Sequence, residues 1–205
     1  MSHQPGYDVL AQTYAELIEG AFQSPLEQSA VDAFAVHVRA AGLGTGVVDV
    51  GCGIGHVAAY LKTARFAVTA VDPSRGMRDQ ARQAHPDLDA VDDDASLRTV
   101  DLGRAAGVIA RYSLIHLAPE AVRETLHDWA ARLRPGSIIL LAGQSSDEPG
   151  VREFDHAVSR AWRWHPDTIV DALAAAGFVE VWRMVSRPAE GFHRFPEFQV
   201  CAVRE

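Results

Sequence analysis

The segment Val47-Val48-Asp49-Val50-Gly51-Cys52-Gly53-Ile54-Gly55-His56-Val57 limits the architectures open to this chain more than any other. Val47 to Val50 are apolar except for one Asp, which suits a strand buried on both faces of a parallel sheet. Three glycines at alternate positions follow, and Val57-Ala58-Ala59-Tyr60-Leu61 then reads as a helix. Glycine admits positive φ and lets a ligand approach a main chain that has no Cβ in the way. Strand, glycine turn and helix N-terminus together make a nucleotide-binding corner.

The chain on either side supports that reading. Asp8 to Glu19 carries Leu10, Tyr14, Leu17 and Ile18 at helical spacing. Ser24-Pro25 starts a second helix that runs to about Ala41, ahead of Gly42, Gly44 and Gly46. Beyond the glycine turn, strands are expected over Phe66 to Val71, Asp89 to Val91, Gly107 to Tyr112 and Ser137 to Gly143. Helices are expected over Ser74 to His85, Pro119 to Leu133 and Pro166 to Ala176. Such alternation implies a doubly wound α/β fold around a parallel sheet. Phe178 to Met184 and Phe198 to Val203 have no helix between them and should close the sheet as an antiparallel end. The expectation is one domain over residues 1–205, with residues 1–45 a helical cover and residues 46–205 the core.

Net charge is −8, and Lys and Arg form no basic run, so a nucleic-acid partner is disfavoured. The two cysteines show neither disulfide nor metal spacing, which fits a reducing cytoplasm. Met1 to Tyr7 lacks the make-up of a signal peptide, and no apolar run approaches the roughly 20 residues that span a bilayer. No pair of His residues has metal-ligand spacing; His37, His85, His127 and His156 read as exposed or capping.

Asp72 closes the second strand, 17 residues past Gly55. That position suits hydrogen bonding both hydroxyls of a ribose, although a helix N-cap in Asp72-Pro73-Ser74 also fits. At this point the chain resembles the class I S-adenosylmethionine-dependent methyltransferases. Residues 48–55 match their Val-Asp-Val-Gly-Cys-Gly-x-Gly motif, and position 56 is His where a dinucleotide enzyme would place a last glycine. Asp72-Pro73-Ser74-Arg75-Gly76-Met77 resembles the family's Asp-x-Ser-x-x-Met, and Asp93-Asp94-Ala95 its Gly-Asp-Ala element. Gly107 to His116 resembles strand four and its exit, with Ala106 where many relatives have Asp. Leu133-Arg134-Pro135-Gly136-Ser137 resembles the turn into strand five, and Ala161 to Phe178 the last third of small bacterial, actinobacterial-like members.

The resemblance implies a Rossmann-like, mostly parallel sheet of seven strands whose C-terminal strand is antiparallel, under two N-terminal cover helices. It implies S-adenosylmethionine as cofactor, S-adenosylhomocysteine as product, and an in-line methyl transfer. Asp49 would orient the methionine end, Asp72 take the ribose and Met77 pack on adenine, with Gly51, Cys52, Gly53, Gly55 and Pro73 also binding the cofactor. Asp93 or Asp94, with Ala95, would meet the adenine amine, while Tyr7-Asp8 and Tyr14 resemble an N-terminal Tyr-Asp…Tyr element that folds over the cofactor. Arg111 would bind the cofactor carboxylate, an acidic substrate or an internal partner.

An in-line displacement from an activated leaving group mainly requires alignment and desolvation. A general base is needed where the nucleophile arrives protonated, and His116 at the strand-four exit is the candidate, or else a residue that orders that loop. Tyr112 flanks the same position as wall or catalyst. Tyr7, Trp162, Trp164 and His193 would rim the acceptor site, unless the two tryptophans are core. The short cover suits a small-molecule acceptor, with the protein a monomer or homodimer. The competing readings are a nicotinamide-dependent oxidoreductase, which leaves Asp49 without a role, and a catalytically silent cofactor-binding protein.

Overall fold

A computed structural model describes residues 5–18, 20–156, 158–187 and 194–205. Chain order is α1 (Pro5–Leu17), α2 (Pro25–Ala40), β1 (Gly46–Val50), α3 (His56–Thr63), β2 (Ala67–Val71), α4 (Arg75–Ala84), β3 (Ala90–Val91) and β4 (Gly107–Arg111). There follow α5 (Pro119–Arg132), β5 (Ile138–Gln144), β6 (Val151–Phe154), β7 (Ala161–Trp164), α6 (Pro166–Ala175), β8 (Phe178–Ser186) and β9 (Glu197–Arg204). Helix starts obey local chemistry. Ser24 caps α2 by accepting from Glu27 N at 3.3 Å, with Pro25 in the first turn. Ser74 caps α4 by accepting from Met77 N at 3.2 Å.

The seven strands of the main sheet lie in the order β3-β2-β1-β4-β5-β9-β8. β3, β2, β1, β4 and β5 pair in parallel, and β9 runs antiparallel between β5 and β8. The expected antiparallel end is present, with β9 inserted next to β5 rather than at the sheet edge. Alternate residues of the central strands serve two cores, as the period of two in a strand requires. Val47, Ile109, Leu140 and Cys201 pack with Phe34 and Val38 of α2. Val48, Val108, Ile139 and Val200 pack with Trp129 of α5 and Leu173 of α6.

A two-stranded ribbon, β6–β7, falls outside the expected elements. No strand was expected between Gly143 and Phe178, because four-residue strands rich in charge carry little periodicity. The expected first helix is observed as α1, and the expected endpoint Glu19 lies outside the described residues. Among the described residues no helix is long and apolar enough to cross a membrane.

Candidate active site

The chain reverses its direction across the sheet between β1 and β4, since β2 follows on one side and β5 on the other. Ligands in open α/β sheets lie outside the strand C-termini at such a point. A cavity of about 1170 Å³ opens there, lined from β1, β2, β4 and their exit loops and roofed by α1. Single-ligand pockets run to about 300–1,000 Å³, so this one has room for a cofactor and a second molecule.

The glycine turn is the cavity floor. Gly51 N and Cys52 N both donate to Val71 O, at 2.7 and 2.9 Å, which ties the turn to the end of β2. Gly51 and Gly53 take φ of +68° and +55°, and a Cβ on Gly53 would point into open space. Gly55 is different from the expectation. It caps α3 at φ +79°, off the cavity wall, and a Cβ there would lie 2.5 Å from Leu88 Cδ2. Gly55 therefore packs α3 against α4 and its neighbourhood rather than facing a ligand. Burial lifts the Cys52 thiol well above its ordinary range, so the cysteine is an inert wall.

Asp72 is 7% exposed at the end of β2. Its Oδ2 accepts from Gly53 N at 2.9 Å and its Oδ1 from Ser74 N at 2.8 Å. Burial outweighs these bonds and the Arg78 cation, and the carboxyl is pushed up to about 6. Asp49, on β1, is raised to about 7 by burial, against the opposing charge of Arg111. Its Oδ2 has no hydrogen-bond partner among the described residues, although it lines the cavity. An orphaned buried acceptor on a cavity wall fits a ligand that brings a donor, as the ammonium of S-adenosylmethionine would.

Asp93 and Asp94 differ in how their oxygens are used. Asp93 accepts from Asp94 N, Thr99 N and Thr99 Oγ1 at 2.7–2.8 Å, so both its oxygens are spent folding the loop. Asp94 uses Oδ1 on Ser96 N at 2.8 Å. Helix α5 clamps the same loop, with Trp129 Nε1 donating to Ala95 O at 2.8 Å and Arg132 reaching Ser96 O and Leu97 O. Pro73 and Ala95 line the cavity beside them, and Met77 packs with Ile54 and Ala11 under Tyr7 and Tyr14.

Past the end of β4 the backbone turns through Tyr112 at φ +54°, an unusual conformation for a residue with a side chain. Arg111 is held by Glu27 of α2, with Nη2 to Oε2 at 2.8 Å and side-chain exposures of 9% and 7%. The internal ion pair is thus the partner observed for Arg111. The Tyr112 hydroxyl donates to Glu27 Oε1 at 3.3 Å, and burial with the nearby Glu197 and Glu27 raises its pKa, so it stands as a protonated wall of the cavity. His116 sits on the turn that follows, its Nε2 2.8 Å from Tyr7 Oη and its Nδ1 2.9 Å from Arg160 O.

Two expected rim residues are not there. Trp164 is buried in the core beside α5 and α6, because Ser146 N donates to its carbonyl at 3.1 Å and draws β7 in against the end of β5. Trp162 lies on the β6–β7 ribbon away from the cavity, under the Arg160 guanidinium at 5.3 Å. His193 lies outside the described residues. In turn, sequence reasoning passed over residues that line the cavity. Glu27 presents a Ser-x-x-Glu capping spacing, which hides its second role. His156, read as exposed or capping, stands edge-on to His116 at a centroid distance of 4.9 Å. Asp8, expected with Tyr7 and Tyr14 in the N-terminal element, accepts from Ser74 Oγ and Gly76 N at 2.6 and 2.9 Å, which fastens α1 onto α4.

Residues 47–136 match a family model described as "Methyltransferase domain". No curated protein matches the chain by sequence. Among solved structures, the chain is similar to the 1,6-didemethyltoxoflavin-N1-methyltransferase of Burkholderia thailandensis, at 23% identity over 91% of this chain and 93% of that one, TM-score 0.65. That structure holds its substrate and S-adenosylhomocysteine. It is also similar to the magnesium protoporphyrin IX methyltransferase of Synechocystis with bound S-adenosylmethionine, at 18% identity over all of both chains, TM-score 0.69. Identities this low establish the fold.

Fold, glycine turn and the match over residues 47–136 together define a methyltransferase. Residues 47–136 are a methyltransferase domain, and the chain has the fold of methyltransferases that hold S-adenosylmethionine or S-adenosylhomocysteine. The nicotinamide alternative falls with that match.

Proposed function

We propose that this methyltransferase acts on a small-molecule acceptor in the cytoplasm, and that the cavity divides into a cofactor half and an acceptor half. The observation that carries the reading is the roof. Helix α1 lies across the strand C-termini, fastened by Asp8 at the α4 end and by Tyr7 at the His116 end. A macromolecular acceptor would need that face open. The two cysteines are free thiols, as a reducing compartment keeps them.

S-adenosylmethionine, when bound, supplies an activated methyl group. Asp72 would take the ribose hydroxyls and Asp94 the adenine amine, while Asp93 holds the loop that presents Asp94. Asp49 and the Gly51–Gly53 backbone would take the methionine end. Tyr7, Tyr112, His116 and Gln144 bound the acceptor half, with Arg111 behind it holding α2 in place. Burial and a low-dielectric wall would desolvate the reactants, and alignment alone is worth about 7–11 kcal/mol of barrier.

Two measurements test this. Calorimetric titration with S-adenosylhomocysteine should show micromolar binding that Asp72→Ala and Asp94→Ala both weaken and Asp93→Ala affects through loop order. Unchanged affinity in Asp72→Ala removes the ribose role. Incubation with methyl-labelled cofactor and a cell extract should then put label in the low-molecular-mass fraction; label confined to protein or RNA refutes a small acceptor.

A further inference from the structure

We infer that Tyr7, not His116, is the catalytic residue that meets the acceptor's proton, with His116 as the positioning residue and proton store behind it. The acceptor is accordingly a compound that arrives carrying a weakly acidic O–H or N–H, such as a phenol, an enol or a heteroaromatic N–H. This rests on the placing of the acceptor beside the exit of β4.

Hydrogen-bond direction carries the argument. His116 Nδ1 faces the carbonyl oxygen of Arg160 at 2.9 Å, and a carbonyl can only accept, so Nδ1 bears the proton. In the neutral ring Nε2 is then an acceptor, and the Tyr7 hydroxyl 2.8 Å away donates to it. Tyr7 covers the one basic atom of His116, which blocks direct attack on an acceptor proton by the imidazole. The Tyr7 oxygen keeps lone pairs for a donor in the cavity that both residues line.

The ionisation states suit a relay. Burial raises the Tyr7 phenol, with Tyr14 and Asp72 adding to the shift, so Tyr7 remains protonated and must pass a proton on. Burial lowers His116, against the bond to the Arg160 carbonyl, so the ring is neutral and ready at pH 7. His156, beside it, is also lowered by burial and by His116, with Asp155 opposing. As the acceptor heteroatom bonds to the methyl carbon, the sulfur–methyl bond breaks and sulfur keeps that electron pair. The acceptor's proton moves to Tyr7 Oη and the phenolic proton moves to His116 Nε2, leaving an imidazolium. Since Tyr7 and Asp8 are neighbours on α1, the docking that caps α4 also seats Tyr7 on His116.

Two readouts decide it. Ring ¹⁵N NMR of the S-adenosylhomocysteine complex should show His116 neutral with the proton on Nδ1, and Tyr7→Phe should shift Nε2; a proton on Nε2 overturns the relay. A panel of phenols, enols and heteroaromatic N–H compounds, with secondary amines as contrast, should give methylated product from the first three classes. With such an acceptor, Tyr7→Phe should lower kcat by about 10²–10⁴-fold while S-adenosylhomocysteine affinity holds. The native pH profile should fall on the acid side as His116 protonates, and Tyr7→Phe should lose that limb. Turnover of amines alone, turnover of no O–H or N–H compound by protein that binds S-adenosylhomocysteine, or an undiminished kcat in Tyr7→Phe overturns the inference while the cofactor assignment stands. Failure to bind S-adenosylhomocysteine overturns both.

Discussion

Replacing Asp49 by Asn should stabilise the cofactor-free protein at pH 8 and lose that advantage at pH 5. Asp49 is 3% exposed, and burial moves its carboxyl from 3.8 to about 7, with the Asp72 charge adding to the rise and the Arg111 charge opposing it. A carboxyl raised in the folded state favours folding fully below the unfolded value and loses that contribution as pH climbs through about 7. The gap corresponds to about 4 kcal/mol of cost once the group is ionised. An amide carries no charge but leaves a buried polar group without a partner, which costs about 1–3 kcal/mol. The balance at pH 8 is a gain of about 1–3 kcal/mol, or about 2–12 °C in Tm for a chain of this size. Thermal melts of both proteins at the two pH values isolate Asp49, because every other titrating group is shared. A variant that melts at or below the native protein at pH 8, or a difference that does not change with pH, would refute the reasoning. Titration should show weaker S-adenosylhomocysteine binding in the same variant.

Arg111→Met leaves Glu27 charged and buried without its cation, and urea unfolding should show a loss of about 3–5 kcal/mol. Adding Glu27→Gln should recover part of it; a coupling energy under about 0.5 kcal/mol in the cycle would show that the pair does not act as one unit. Trp164→Ala should cost about 3–5 kcal/mol through the cavity left beside α5 and α6, with Trp162→Ala within about 0.5 kcal/mol of native. Asp8→Ala removes the acceptor at the α4 N-terminus, and calorimetry should show about 0.5–2 kcal/mol less stability, with faster proteolysis of α1.

Most of the sheet was legible because buried parallel strands write themselves as short apolar runs between turn residues. Val47 to Val50 and Gly107 to Arg111 needed nothing beyond composition and spacing, and Ser24-Pro25 and Ser74 marked helix starts by their side chains. What failed to show was pairing at a distance. Trp164 reads as a rim aromatic until Ser146 draws its strand inward, and Glu27 reads as a cap until Arg111 arrives from 84 residues away along the chain. Gly55 belongs to the glycine motif by position, yet its freedom from a Cβ serves the packing against Leu88. The roles proposed for His116 and Tyr7 rest on which nitrogen faces a carbonyl, a fact no spacing records.

The costs in this structure collect along one edge. Asp49 and Asp72, both raised by burial, end β1 and β2; Tyr112, with its left-handed backbone, ends β4. Strands β1, β2 and β4 lie side by side, so their C-terminal ends form one line under α1. Each feature is unfavourable where it stands and each faces the cavity, while the opposite cores of Phe34 and Trp129 are apolar and closely packed. Strain and desolvated charge held against a ligand space persist only where the surrounding fold over-determines them. Here the two cores and the Glu27–Arg111 pair hold the strands in place, and a cofactor bringing an ammonium and ribose hydroxyls would relieve the carboxylates. Affinity for a ligand that brings an ammonium should therefore rise as pH climbs through about 7, where Asp49 ionises, and that rise should vanish in Asp49→Asn.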